Sequence, residues 1–153
     1  MTYSFDTSGL LDGWRRYYPV ATFPTIWENV ESLIAAGRGV ASDEVLHELE
    51  AKDDDLLEWA RQQDRLFVPA TDDIQVVVRR IMEEHGGLVD PQRGRSQADP
   101  FVIAVAAVHG AAVVTGEMPT RNPANPKIPD VCGAMGIECV SFLDLLTEEG
   151  WVY

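Results

Sequence analysis

Acidic residues stand at four junctions between apolar and polar stretches, and their spacing along the chain is the first sign of chemistry. Asp6 ends YSFD and runs straight into Thr7, Ser8 and Gly9. Glu44 and Glu48 lie in SDEVLHELEAK just after GVAS, Asp99 opens DPFVIAVAAVHG, and Glu117 closes AAVVTGE. Carboxylates drawn from separate elements to one edge repel each other unless a cation sits between them. Magnesium and manganese favour such oxygen ligands. Each acid also has a plainer use, and for Asp6 it is helix capping, because Asp, Thr and Ser all offer side-chain oxygens to the free N–H groups of a helix beginning near Gly9 and Leu10.

The elements that would position these acids alternate regularly. A strand over residues 2 to 5 is followed by a short helix, then by an amphipathic helix in FPTIWENVESLIAAG, with Pro24 in its first turn and Ile26, Trp27, Val30, Leu33 and Ile34 on its buried stripe. GVAS reads as a strand and SDEVLHELEAK as the next helix, capped by Ser42 or Asp43. A further short helix from Asp55, an extended piece in RLFVPAT and a helix opened by Thr71, Asp72 and Asp73 come next, ended by Gly86 and Gly87. After a polar loop over residues 88 to 98, DPFVIAVAAVHG is apolar almost all round and reads as a core helix, with Asp99 as cap, Pro100 at the first helical position and Gly110 closing it. A buried strand, a proline-rich loop, a short helix, the strand IECV and a last helix from Ser141 complete the chain. The expected fold is a three-layer α/β/α sandwich with a mainly parallel sheet of four to five strands, in one domain over residues 1 to 153. In such sheets ligands bind beyond the carboxyl ends of the strands, which is where the four acids fall.

Composition narrows the partners. A formal charge of −13 over 153 residues argues against a general nucleic-acid binder, whose affinity rests on basic residues. It suits carboxylates that hold a divalent metal, or a surface complementary to a basic partner. No apolar run reaches membrane-spanning length and the first residues lack the order of a secretory signal, so a cytoplasmic protein without membrane contact is expected. Cys132 and Cys139, with His47, His85 and His109 scattered singly, have no zinc-binding spacing and read as reduced core thiols.

The order of acids, each with its surrounding element, resembles the PIN-domain superfamily. YSFDTSGLL, VLHELE, ADPFVIAVAAVHGAAVVT and TGE match its four successive acidic motifs, the last a Thr-x-Asp. More narrowly, ADPFVIAVAA, VVTGE and KIPDVCGAMGIECV resemble the PIN-like branch of bacterial toxins grouped as domain of unknown function 4411. The resemblance covers nearly the whole chain. It implies Asp6, Glu48, Asp99 and Glu117 as catalytic metal ligands for Mg²⁺ or Mn²⁺, choosing Glu48 over Glu44, which shares its helix face one turn earlier. Glu117 departs from the superfamily Asp, its longer arm keeping a carboxylate available through water or from a shifted position. Thr115 and Ser8 are accessory candidates that would orient the carboxylates, and both read equally well as loop hydroxyls. Asp130 is an optional fifth acid or a helix cap after Pro129.

The activity so implied is metal-dependent endoribonuclease cleavage, for which residue types fit, since carboxylate-held metal supplies positive charge and an activated water without a His or Ser nucleophile. RNA would need basic residues beside the acidic rim, and the candidates are Arg93 and Arg95, Arg121 and Lys127, and Arg15 and Arg16 within WRRYY. Trp14, Tyr17 and Tyr18 could stack on unpaired bases or pack the core. Relatives imply a toxin checked by a cognate antitoxin protein, and a homodimer using segments around Trp27 and Trp59. The alternative is a catalytically degenerate PIN-like module that binds protein or RNA. The chain has no P-loop, dinucleotide or nucleophile-elbow motif for other α/β enzymes.

Overall fold

A computed structural model describes residues 1 to 89 and 97 to 153. Five strands form one sheet in the order β3-β2-β1-β4-β5, every pair parallel. They are β1 (Tyr3–Phe5), β2 (Gly39–Ser42), β3 (Phe67–Val68), β4 (Ala112–Val114) and β5 (Cys139–Val140). Among the described residues eight α-helices flank the sheet: α1 (Thr7–Leu11), α2 (Pro24–Ala35), α3 (Asp43–Lys52), α4 (Asp54–Arg61), α5 (Asp72–Glu84), α6 (Asp99–His109), α7 (Ile128–Met135) and α8 (Phe142–Glu148). The expected α/β sandwich with a parallel sheet is the fold observed. None of these helices is long and apolar enough to cross a membrane.

The chain order creates a switch point. From β1 the chain winds outward to β2 and β3, then returns to the other side of β1 with β4 and β5. The crevice between the carboxyl ends of β1 and β4 is the place such sheets use for ligands. Register puts Phe5 beside Val114, and the Asp6 amide donates to the Val114 carbonyl at 2.9 Å, so Asp6 and Thr115 leave the sheet side by side.

Packing holds that crevice close. Gly9 allows α1 to lie directly on β4: a Cβ there would sit 2.5 Å from the Val114 carbonyl oxygen, and backbone cannot give way as a flexible side chain can. Helix α6, with Val102 to Ala106 buried without interruption, covers β1, β2 and β4. The buried Ser4 hydroxyl donates to the Val102 carbonyl at 2.9 Å, so a polar group inside the core is satisfied. Across the molecule Trp27 packs edge-on against Trp14 and Trp59, with ring centroids at 4.8 and 5.1 Å. Each such pair contributes about 0.5–1.5 kcal/mol beyond burial.

Two details differ from the sequence-based expectation. Helix α6 starts one residue early, because the Ala98 carbonyl accepts from both Phe101 and Val102, which makes Ala98 the cap and Asp99 the first helical residue. Trp27 and Trp59, expected near a homodimer contact, are themselves buried inside the aromatic cluster of the single chain.

Candidate functional site

Asp6 occupies the cap position of α1 in extended conformation, yet its side chain makes no capping bond. The carboxylate turns to the switch point instead. Ser8 Oγ donates to Asp6 Oδ2 at 2.5 Å and Thr115 Oγ1 donates to the same oxygen at 3.0 Å. The two hydroxyls lie 3.2 Å apart, and the Gly116 and Glu117 amides donate to Ser8 Oγ and Thr115 Oγ1 at 2.9 and 3.1 Å. One oxygen of Asp6 is thereby fixed by a tight loop of β4, α1 and hydroxyl groups. No buried side-chain oxygen lacks a partner among the described residues, so Oδ1, which takes none of these bonds, is not sealed from solvent.

Asp6 is only 3% exposed, and burial pushes its carboxyl from 3.8 up to about 6. The hydroxyls of Ser8 and Thr115 pull it back, while the charges of Glu117 and Glu48 push it further up. Two glutamates from distant elements therefore act on Asp6 with the sign of crowded like charges.

Both glutamates are held by local partners. Thr7 Oγ1 donates to Glu48 Oε1 at 2.8 Å, linking the first residue of α1 to α3. Glu117 Oε2 accepts from the Ile128 amide at 3.1 Å, so its longer arm spans from the end of β4 to the start of α7. Asp99 is 6% exposed at the first residue of α6. That helix delivers the chain to the amino end of β4, so its own beginning, about 16 Å away, lies toward the carboxyl edge. Among the described residues no three His, Cys, Asp or Glu side chains are gathered closely enough to hold an ion as they stand. The donor set nevertheless suits a hard divalent cation: carboxylate oxygens alone, one open and pressed by two like charges, and two on arms long enough to swing inward.

Asp130 serves the loop before α7. Although burial works against it, the amides of Lys127, Thr120 and Arg121 hold its carboxyl down at about 2. Those bonds run at 2.8 to 2.9 Å and the Thr120 hydroxyl adds one at 3.1 Å. This is the helix-cap use, with Asp130 reaching back from the third residue of α7 to the Lys127 amide. Glu44 sits in the first turn of α3, its amide bonded to the Ser42 hydroxyl.

The basic candidates divide. Arg93 and Arg95 lie outside the described residues. Arg15 is committed to Asp53 and to the Lys52 carbonyl, both at 2.5 Å. Arg16 is exposed, 3.8 Å from Asp12, with its guanidinium 5.9 Å from the centre of the Tyr17 ring. Lys127 and Arg121 flank the Asp130 turn, Arg121 being exposed and in a left-handed conformation at φ 58°. Trp14 belongs to the core cluster, and Tyr18 packs on Phe142 and Phe23.

Two participants escape a reading of the sequence. Thr7 bonds Glu48, and Asp12 presses its carboxylate against the Thr115-Gly116-Glu117 turn, where a Cβ on Gly116 would lie 2.2 Å from Asp12 Oδ2. The signal for Asp12 is its spacing of four from Ser8, which puts both on one helix face, together with the glycine in TGE.

A search of curated proteins finds no match. The family model DUF4411, a domain of unknown function, matches residues 3–153 and thus almost the whole chain, which shows that this protein belongs to the DUF4411 family.

Proposed function

We propose that this protein is a metal-dependent endoribonuclease of the PIN-like kind, acting as the toxin of a toxin and antitoxin pair in the cytoplasm. The observation that carries the reading is Asp6: a buried carboxylate at the switch point of a parallel sheet, pushed up to about 6, with Glu117 and Glu48 repelling it. Unfavourable charge gathered in a ligand-binding crevice is a mark of function more often than of stability.

Asp6 Oδ1 and Asp99 are the principal ligands in this reading, and Glu48 and Glu117 complete the set by leaving Thr7 and the Ile128 amide. A divalent cation held by these residues would supply positive charge beside the scissile phosphate and lower the pKa of the attacking water. Ser8 and Thr115 both bond Asp6 Oδ2 and so hold the carboxylate in one orientation before any ligand arrives. Arg16, exposed beside Tyr17, can meet the RNA backbone. The acidic surface, with a net charge of −13, would complement a basic antitoxin segment.

Calorimetric titration with Mn²⁺ and Mg²⁺, run beside cleavage of a mixed single-stranded RNA pool, tests the reading. Wild type is expected to bind metal and cleave, and Asp99→Asn to lose both. Cleavage that persists in EDTA, or in Asp99→Asn at the wild-type rate, would overturn it. Metal binding with no cleavage would instead favour a degenerate binding module.

A further inference from the structure

Beside the acidic rim, on the β4 and β5 side, lies a cavity of ≈ 540 Å³, within the range of about 300–1,000 Å³ usual for small-molecule sites. Its wall is aromatic: Tyr17, Tyr18 and Phe142 line it, the last two with ring centres 5.8 Å apart and planes inclined by 32°. Its edge toward the rim is the Thr115-Gly116-Glu117 turn, so cavity and carboxylates share residues.

Asp12 and Asp144 also line this space, and they differ. Asp144 is engaged in the capping box of α8, accepting the Ser141 amide at 2.9 Å. Asp12 is 26% exposed, and its contact with Arg16 is a long 3.8 Å. Gly116 leaves room for the Asp12 carboxylate against the turn, and a Cβ there, 2.2 Å from Asp12 Oδ2, would push that carboxylate aside. The cavity therefore pairs the rings of the exposed Tyr17 and half-buried Tyr18, with the buried Phe142 behind them, with a carboxylate that has no close cation among the described residues.

Flat aromatic rings stack on unpaired bases. A carboxylate selects among bases by their donors. Guanine presents N1–H and N2–H side by side and meets both carboxylate oxygens. Adenine and cytosine place a lone pair beside their single donor group, and uracil flanks its N–H with two carbonyls. We propose that this cavity binds a guanine of the RNA strand, with Asp12 accepting its two N–H groups and the aromatic wall stacking on its face, so that the neighbouring phosphate reaches the Asp6 rim. The proposal rests on the nuclease reading and adds base selectivity to it.

The test titrates wild type, Asp12→Asn and Tyr17→Ala with GMP, AMP, CMP and UMP in Mg²⁺, following intrinsic fluorescence. In parallel, cleavage is measured on short single-stranded oligoribonucleotides that differ in one central base. Wild type is expected to prefer GMP by about tenfold or more. Asp12→Asn is expected to shift the preference to adenine and cytosine, whose amino N–H and adjacent ring nitrogen match an amide's acceptor and donor. Tyr17→Ala, at an exposed position, is expected to weaken all four nucleotides without changing their order. Equal or absent binding of the four nucleotides, or a guanine preference surviving in Asp12→Asn, overturns the proposal. Selective GMP binding without cleavage supports the cavity and removes the nuclease reading, whereas metal-dependent cleavage blind to the base does the reverse.

Discussion

The two ends of strand β1 treat acid in opposite ways. At its amino end the Tyr3 hydroxyl donates to Glu149 at 2.9 Å, and Arg38 meets the same carboxylate at 2.7 Å, an ion pair that holds Glu149 below the usual range. At its carboxyl end, Asp6 is buried among hydroxyls with two glutamates acting on it, and its carboxyl is pushed up. Three residues of strand separate an acid whose charge is compensated from acids whose charge accumulates. The contrast lies between Glu149, which has a cation beside it, and Asp6, which gathers like charge at the end where parallel sheets of this kind bind ligands.

The largest test of this contrast is Asp6→Asn. Loss of a ligand exceeds the roughly 10–100-fold cost of losing a supporting partner, so RNA cleavage in Mn²⁺ is expected to fall more than about a hundredfold. The same change relieves buried charge, so the melting temperature at pH 7 is expected to rise. A destabilised Asp6→Asn that still cleaves would erase the distinction between the two ends.

The second test is pH. Asp6 binds its proton more tightly folded than unfolded, so its contribution to stability falls as pH rises from 3.8 to about 6 and then levels, by about 3 kcal/mol at most. Glu149 and Asp130 have lowered values, so their stabilisation is present above the ordinary carboxylate range and is lost as pH falls through it. Denaturant titrations of the metal-free protein across this range are expected to show Asp6→Asn removing the decline toward neutral pH, and Glu149→Gln removing part of the acid-side loss.

Next comes metal itself. A ligand that binds only the folded state at a hundred times its dissociation constant stabilises by about 2.7 kcal/mol. Mn²⁺ is therefore expected to raise the melting temperature of wild type, more at pH 7 than at pH 5, and to leave Asp6→Asn unmoved. A metal shift equal in both proteins would place the cation elsewhere. The smallest effect belongs to the compensated end. With Arg38 partly exposed, Glu149→Gln is expected to cost about 1 kcal/mol in chemical denaturation and to leave cleavage unchanged.

Particular residues show how far the chain could be read in advance. Ser42 and Ser141 cap helices as their spacing suggests, the latter through a capping box with Asp144. Asp6 does not, because a hydroxyl pair arriving from its own helix and from β4 offers its carboxylate better partners than the free amides do. Arg15 reads as available for phosphate, but the junction of α3 and α4 places Asp53 against it. Trp14, in the same WRRYY segment, is drawn into the core by Trp27 and Trp59.

By itself the sequence determined the order and type of elements and the placement of the acids after strands. Periodicity, caps and glycine or proline boundaries act over a few residues and leave their mark in composition. Tertiary structure alone decided which groups those acids meet: Asp6 with Thr115, Glu48 with Thr7, Glu117 with Ile128, and Asp12 with the Gly116 turn. Most of these contacts join residues far apart in the chain, and they exist because β2 and β4 flank β1 in one register. Strand order and register arise from burial summed over the whole core, a property that no short stretch of sequence contains.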